Sequence, residues 1–130
     1  MQTTILIGLF ICHFLADFTP LSTPQMLNAK RLGSPLFPIF CHAAVHAWLM
    51  GIWLPVVLYI DPSIPMSLWW KMVAFQLLTH FVIDVWKGKM NRWFPFLQNQ
   101  ASRGHWVLFG FDQLLHAVVI VLMSYFLVNN

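Results

Sequence analysis

Acidic side chains are nearly absent from this chain. Its 130 residues contain four aspartates and no glutamate, and only 8% of them are charged, against roughly 25% in a soluble domain. Hydrophobic residues make up 59% of the chain. A soluble fold of this size leaves much of its surface in water and has no place for so many apolar side chains. The composition excludes a soluble domain and predicts one membrane domain over residues 1–130.

Cysteine motifs, a strong net charge and an N-terminal targeting signature are also missing. Cys12 and Cys41 do not form a C-x-x-C pair, so neither a zinc ribbon nor a redox motif is indicated. The formal net charge of +3 gives no reason to expect nucleic acid as a partner. No basic stretch precedes the first apolar run, so we expect no cleaved signal peptide. The expected partner is the lipid bilayer.

Four apolar segments are present, at residues 3–18, 38–60, 66–86 and 105–128. Each approaches or exceeds the roughly 17 residues that a helix needs to cross a bilayer. This pattern predicts an all-α fold, a polytopic membrane protein with four transmembrane helices in a bundle. Residues 24–32 begin with a proline, which suits the first turn of a helix, and we expect a short interfacial helix there.

Positive charge is concentrated in two connecting regions. The first carries Lys30 and Arg31, and the second carries four basic residues, namely Lys87, Lys89, Arg92 and Arg103. Because cytoplasmic loops carry an excess of Lys and Arg, we expect a bacterial inner-membrane protein with both termini outside the cytoplasm. Trp69, Trp70 and Lys71 start the third segment, and they predict an aromatic and cationic belt at the opposite interface.

Three of the aspartates and five of the histidines lie inside the apolar segments, as pairs spaced four residues apart. The pairs are His13/Asp17, His42/His46, His80/Asp84 and Asp112/His116. Residues four apart lie on the same face of a helix. An ionisable group at the bilayer centre costs about 3 kcal/mol or more and marks a functional site. In the expected topology all four pairs fall within roughly 15–20 Å of the cytoplasmic boundary.

These eight residues predict a metal centre inside the bundle. A histidine and a carboxylate four residues apart can chelate one ion from a single helix, as in H-E-x-x-H. Eight donors suit one zinc ion with histidines oriented by carboxylates, or two ions about 3.5–4 Å apart. Mixed nitrogen and oxygen donors favour zinc, with manganese or iron as alternatives. Asp17, Asp84 and Asp112 are the candidate catalytic bases if the metal activates water for hydrolysis.

Other interpretations of the pairs stay open. They can serve as a proton or cation relay in a channel or translocating module. They can also tie together the helices of a non-enzymatic accessory subunit through interhelical hydrogen bonds. A second copy of the chain can complete the site, which would make the protein a homo-oligomer.

Several single polar residues are further candidates. Lys87 lies three residues after Asp84 and can pair with it or extend to the lipid headgroups. Gln113 can hydrogen-bond a neighbouring helix, and Lys30 can cover the cytoplasmic mouth of the site. His105 begins a helix and is not expected to be a ligand.

The chain resembles the bacterial integral-membrane family known as DUF3307 in a set of spaced residues. The set is His13-x-x-x-Asp17-Phe18, Gln25, Lys30, His42-x-x-x-His46, His80-x-x-x-Asp84-x-x-Lys87 and Asp112-Gln113-x-x-His116. The resemblance covers nearly the whole chain and implies the membrane fold and the motif set, not a particular reaction. A looser likeness links the chain to bacterial inner-membrane metal-dependent hydrolases, by analogy. Our hypothesis is a metal-dependent hydrolase of a lipid-linked or phosphorylated substrate.

Overall fold

The protein is all-α in its computed structural model, which describes residues 2–129. Met1 and Asn130, which the predicted domain includes, lie outside the described residues. Five α-helices follow one another: α1 Gln2–Phe18, α2 Pro24–Leu32, α3 Leu36–Ile60, α4 Met66–Trp93 and α5 Arg103–Val128. A short 3-10 helix covers Pro95–Gln98. No strand occurs within residues 2–129, so the all-α prediction is confirmed.

Helix α2 has the bounds that the sequence predicts, and both of its ends are capped. The Thr23 hydroxyl accepts a hydrogen bond from the Met26 backbone N–H, as an N-cap residue does. Pro24 occupies the first turn, where its missing N–H costs nothing. Gly33 ends the helix with a φ of 68°, a left-handed conformation that glycine adopts without strain.

Helix α4 extends to Trp93, beyond residue 86 where we expected it to end. The residues after Trp86 include Lys87 and Lys89, and lysine is a good helix former. The helix stops just before Phe94-Pro95, because a proline disfavours the helical conformation of the residue before it. Lys87, Lys89 and Arg92, which we assigned to a connecting region, therefore project from the last turns of α4, and Arg103 is the first residue of α5.

Four of the helices form a closed ring. α3 contacts α1 and α4, and α5 contacts the same two helices. α2 packs across α3 and α4 at one end of this ring. There the backbones of Gly33 and Gly88 approach so closely that a Cβ on either would collide with the other's backbone. The Asn91 side-chain amide also donates to the Arg31 carbonyl over 3.1 Å, so the two basic regions lie at the same end of the molecule.

Three helices, α3, α4 and α5, are long and apolar enough to cross a membrane. α1 is a shorter apolar helix of 17 residues. Large apolar side chains face outward on all of them, with Phe14, Trp48, Val82 and Val107 each more than half exposed. Exposed apolar surface on this scale is typical of a membrane protein.

The inside of the ring is divided into an apolar half and a polar half. The apolar half lies away from α2, and its core includes Ile5, Leu54, Trp69 and Ile120. The indole of Trp69 is fully buried, whereas its neighbour Trp70 is 51% exposed. The predicted interface belt is therefore wrong for Trp69, because this side chain fills the ring between the helices. The polar half holds the paired residues.

Candidate metal centre

The polar half of the ring brings together all eight residues that the sequence predicts as a site. α1 contributes His13 and Asp17, and the three other ring helices contribute His42 and His46, His80 and Asp84, and Asp112 and His116. The side chains of His42, His80, Asp84 and Asp112 are completely buried. We call these eight residues the His/Asp cluster. It forms because each pair lies on the inward face of its own helix, near the same end of the ring.

The Asp17 carboxylate connects two helices of the cluster. Its Oδ1 atom lies 3.0 Å from Nε2 of His42 and 3.4 Å from Nε2 of His46, both on α3. Its Oδ2 atom lies 3.5 Å from Nε2 of His13 and accepts a hydrogen bond of 3.4 Å from the Gln113 amide. The prediction that Gln113 bonds a neighbouring helix is therefore confirmed.

The Asp84 carboxylate lies at the centre of the cluster. Its Oδ2 atom is 3.2 Å from Nε2 of His80 and 3.5 Å from Nε2 of His42. Its Oδ1 atom is 3.8 Å from Nε2 of His116. Asp84 thus faces imidazoles from α3, α4 and α5.

Asp112 pairs with Lys87 and positions His116. The Lys87 ammonium donates to Asp112 over 2.8 Å, so neither expected role of Lys87, pairing with Asp84 or extending to the headgroups, is correct. Asp84 is instead paired with Lys30, whose Nζ lies 3.2 Å from Asp84 Oδ1. The Nδ1–H of His116 donates to the Asp112 carbonyl over 2.9 Å. This bond leaves the Nε2 lone pair of His116 directed at the cluster.

His42 is held in the same tautomer by a residue that sequence reasoning missed. The Ser22 hydroxyl donates to the Ala16 carbonyl over 2.7 Å, so its oxygen accepts the bond of 2.7 Å from Nδ1–H of His42. Nε2 of His42 therefore carries its lone pair inside the cluster, where the Lys30 ammonium lies 3.2 Å away. A hydrogen-bonded second nitrogen is the usual arrangement of a metal-binding histidine. Ser22 lies outside any helix and no sequence pattern marks it.

Lys30 enters the cluster from α2 and was expected only to cover its mouth. Its side chain is 9% exposed, and Nζ lies 3.0 Å from Asp17 Oδ1 and 3.2 Å from Asp84 Oδ1. Nζ is also 3.2 Å from Nε2 of His42. Burial alone would lower the pKa of Lys30, but the Asp84 and Asp17 carboxylates outweigh it and raise this pKa above its ordinary value. The ammonium therefore stays charged among the atoms that a metal ion would use.

Several cluster atoms are buried without a hydrogen-bond partner among residues 2–129. They are both ring nitrogens of His13 and His46, Nε2 of His80 and His116, both carboxylate oxygens of Asp84, and Oδ1 of Asp112. Buried polar atoms in native proteins are nearly always satisfied by protein, water or an ion. Unsatisfied imidazole nitrogens beside carboxylates therefore fit a cation-binding site.

Two overlapping sets of donors are close enough to hold an ion. Asp17, His42, His46 and His80 offer donor atoms that all lie within 4.8 Å of one another, and so do His80, Asp84 and His116. His80 belongs to both sets. Three imidazole nitrogens and one carboxylate oxygen are donors of the kind found in four-coordinate metal sites. His13 and Asp112 border these sets without belonging to either.

Gln76 is another cluster neighbour that the sequence analysis did not single out. Its Nε2 lies 3.5 Å from Nδ1 of His80, and its side chain is buried. A signal for it exists, since Gln76, His80 and Asp84 follow one another at intervals of four residues. This spacing extends the polar stripe of α4 by one turn toward the apolar half.

The fold and the site together define a helical membrane protein with a buried His/Asp cluster. A family model described as "Protein of unknown function (DUF3307)" matches residues 5–130. The chain belongs to this family, and the resemblance noted from the motif set is confirmed. No curated protein and no solved structure matches the chain.

Proposed function

We propose that the protein is a bacterial inner-membrane hydrolase whose His/Asp cluster binds a divalent transition metal, with zinc as the first choice and manganese or iron as alternatives. Its substrate would be a lipid-linked or phosphorylated molecule. The observation that carries the proposal is the set of Asp17, His42, His46 and His80, whose donor atoms lie within 4.8 Å of one another. Both nitrogens of His46 are buried without a hydrogen bond among residues 2–129, and Nε2 lies 3.4 Å from Asp17 Oδ1.

Charge balance supports a cation in the cluster. Among residues 2–129, Asp17, Asp84 and Asp112 face two lysines, Lys30 and Lys87. The remaining negative charge is expensive to bury, because an ion without a partner loses its hydration. The carbonyl and hydroxyl contacts of His116 and His42 hold the Nδ1 proton on the outer side of each ring and direct Nε2 toward the cluster. A divalent cation uses the lone pairs of these Nε2 atoms and neutralises the carboxylates together.

The carboxylates would have different roles in hydrolysis. A bound zinc ion supplies a water whose pKa is lowered to about 7. Asp17 lines the opening of the cluster, where it would be the carboxylate ligand of the first donor set or accept a proton from an incoming water. Asp84 lies deeper and would act as a ligand or hold the proton. Asp112 is bound to Lys87 and acts on the site through His116, so it is a positioning residue.

We infer that α1 is a fourth membrane span and that the cluster lies near the cytoplasmic face. At 1.5 Å per residue α1 is roughly 25 Å long, close to the roughly 30 Å hydrocarbon thickness. Its outward side chains Ile7, Ile11, Phe14 and Phe18 are each more than half exposed. The end of the ring that holds α2 also carries the exposed basic residues Arg31, Lys89 and Arg92, which the positive-inside rule places in the cytoplasm.

A proton or cation relay is the second candidate, and the imidazole contacts favour it. The ring centroids of His13 and His46 are 4.9 Å apart, those of His46 and His80 are 3.6 Å apart, and those of His80 and His116 are 4.2 Å apart. The apolar half of the ring weighs against transport, because Trp69 and the apolar side chains packed with it lie between the cluster and the other end of the ring. Proton flux into liposomes that is lost in Asp84→Asn, from protein without bound metal, would favour the relay.

Metal analysis of purified protein tests the proposal. Wild-type protein in detergent should retain near-stoichiometric zinc, manganese or iron after exposure to a metal mixture and desalting. His46→Ala should lose most of this metal, because it removes one of the four donors in the set with Asp17, His42 and His80. His105→Ala is the matched control and should keep it, since Nδ1 of His105 bonds the Leu97 carbonyl outside the cluster. Wild-type protein without metal, or equal metal in His46→Ala, would refute the proposal.

A further inference from the structure

A cavity of about 200 Å³ opens beside the His/Asp cluster. Its wall is built by α1, α2, α4 and α5, and it includes Asp17 and Lys30, which also belong to the cluster's contacts. A molecule in the cavity would therefore touch the cluster directly. The volume is several times the roughly 30 Å³ share of one water in the liquid, so it accommodates a polar headgroup.

The cavity carries more positive than negative charge. Three cations line it, Lys30, Arg31 and Lys87, against the single carboxylate of Asp17. Lys30 and Lys87 are also paired with carboxylates on the cluster side. Arg31 has no ion-pair partner among residues 2–129, and its guanidinium donates only to the Asn28 side chain, over 3.2 Å. The unbalanced guanidinium at the cavity rim favours an anionic ligand, and arginine is well suited to phosphate.

Asn91 adds an unused acceptor to the same wall. Its side chain is 5% exposed, and its amide nitrogen already donates to the Arg31 carbonyl. Its Oδ1 atom is buried and has no hydrogen-bond partner in the described part of the chain. A buried acceptor without a partner is costly, so this atom fits a hydroxyl on the ligand.

The rest of the wall is apolar and continues to the outer surface. Phe18, Leu27, Leu108 and Phe109 line the cavity. Phe18 is 57% exposed and Leu27 is 41% exposed, so both extend the apolar lining onto the outer face of the ring. A soluble phosphate would make no apolar contact with these side chains, whereas an acyl or prenyl chain would cover them.

We propose that this cavity binds the phosphate headgroup of an anionic lipid that also bears a hydroxyl. The phosphate lies between Arg31 and Lys87, the hydroxyl donates to Asn91, and the chain leaves past Phe18 and Leu27. The position of the phosphate next to a catalytic metal rests on the proposed function, whereas the binding itself does not. The site would thus select lipid-linked phosphates over soluble ones.

Calorimetric titration in nonionic detergent tests this site with three probes. The probes are a short-chain phosphatidylglycerol, glycerol phosphate, and a short-chain diacylglycerol without phosphate. We expect the phosphatidylglycerol to bind at least tenfold more tightly than either of the other probes, which is about 1.4 kcal/mol. Diacylglycerol lacks the charge-assisted contact of the phosphate, and glycerol phosphate lacks the apolar contacts of the acyl chains. Arg31→Gln should weaken the binding of phosphatidylglycerol about tenfold, and the exposed, matched control Arg92→Gln should leave it within about twofold.

Each contrary outcome overturns a defined part of the proposal. If diacylglycerol binds as tightly as phosphatidylglycerol, the site does not recognise phosphate. If glycerol phosphate binds as tightly, the site is one for soluble phosphate. If Arg31→Gln and Arg92→Gln weaken binding equally, the cavity is not where the lipid binds. Lys87→Gln is a second test if Arg31→Gln does not fold. The titrations use chelator-treated protein, and metal uptake is measured on a parallel sample. Lipid binding without metal uptake refutes the hydrolase alone, and metal uptake without lipid binding refutes this site alone.

Discussion

Replacing Lys30 with methionine tests whether its ammonium and a metal ion compete for the same atoms. Nζ lies 3.0 Å from Asp17 Oδ1 and 3.2 Å from Asp84 Oδ1, and both carboxylates belong to the donor sets. Unit charges about 4 Å apart interact by about 4 kcal/mol at an effective dielectric constant of about 20. If the competition between the ammonium and the metal amounts to about a third of this energy, it is about 1.4 kcal/mol, which is tenfold in metal affinity. We therefore expect Lys30→Met to bind zinc at least tenfold more tightly than wild type.

The same substitution should destabilise the metal-free protein. Removing one partner of a buried ion pair costs about 3–5 kcal/mol, because the other charge stays buried without compensation. The pKa of Lys30 is raised, so its stabilising effect is complete below its unfolded value of about 10.5 and is lost only at more alkaline pH. The stability difference between wild type and Lys30→Met should thus stay constant from about pH 7 to about pH 9.

Two measurements on detergent-purified protein check these expectations. Zinc affinity is obtained by competition with a chromophoric chelator, and stability is obtained from thermal unfolding with and without zinc. The exposed lysine variant Lys89→Met is the matched control and should resemble wild type in both. Zinc affinity in Lys30→Met that is equal to or below that of a zinc-binding wild type would refute competition. Lys30 would then be a positioning residue for Asp17 and Asp84.

Three further predictions concern metal stoichiometry and packing. His80→Ala should lose all bound metal even in a two-metal centre, because both donor sets share this residue, whereas His116→Ala should lose one ion at most; metal analysis measures both. Gly88→Ala should lower the melting temperature, since its Cβ would meet the backbone of Gly33 and Lys30. Trp69→Ala should cost about 3–5 kcal/mol in unfolding free energy, since its side chain is fully buried.

Matched variants and contrary outcomes accompany these predictions. Gly110→Ala adds a Cβ in open space. It should leave the stability unchanged or raise it by up to about 1 kcal/mol, because alanine favours the helix more than glycine does. If Gly88→Ala raises the melting temperature as well, the close approach of α2 to α4 is not essential. Trp70→Ala alters an outward ring and should cost far less than Trp69→Ala. Half the metal retained in His80→Ala would mean that the two donor sets are independent.

The sequence predicts the His/Asp cluster well because its information is local. Three buried aspartates stand out in apolar segments, and a spacing of four residues places each on the same helical face as a histidine. Loop charge then places the pairs at one depth, and the structure brings them together. The short helix at residues 24–32 is likewise predictable from Pro24 and from the glycine at position 33.

Contacts between distant segments were not predictable in the same way. Lys30 reaches Asp84 only because Gly33 and Gly88 let α2 pack against α4, and nothing near Lys30 in the sequence indicates this approach. Lys87 reaches Asp112 on α5 for a comparable reason. Trp69 and Trp70 are adjacent near the start of α4, where apolar side chains lie on both the inward and the outward face, so composition does not show which of them faces the ring interior.

The division of the ring into polar and apolar halves has an electrical consequence. In the proposed orientation a cation that reaches Asp17 and Asp84 enters from the cytoplasmic end and stops short of the apolar core around Trp69. It therefore crosses only part of the membrane field. Moving one elementary charge across the whole membrane at 100 mV involves about 2.3 kcal/mol. Metal occupancy would follow the cytoplasmic metal supply closely and depend only weakly on the energised state of the cell.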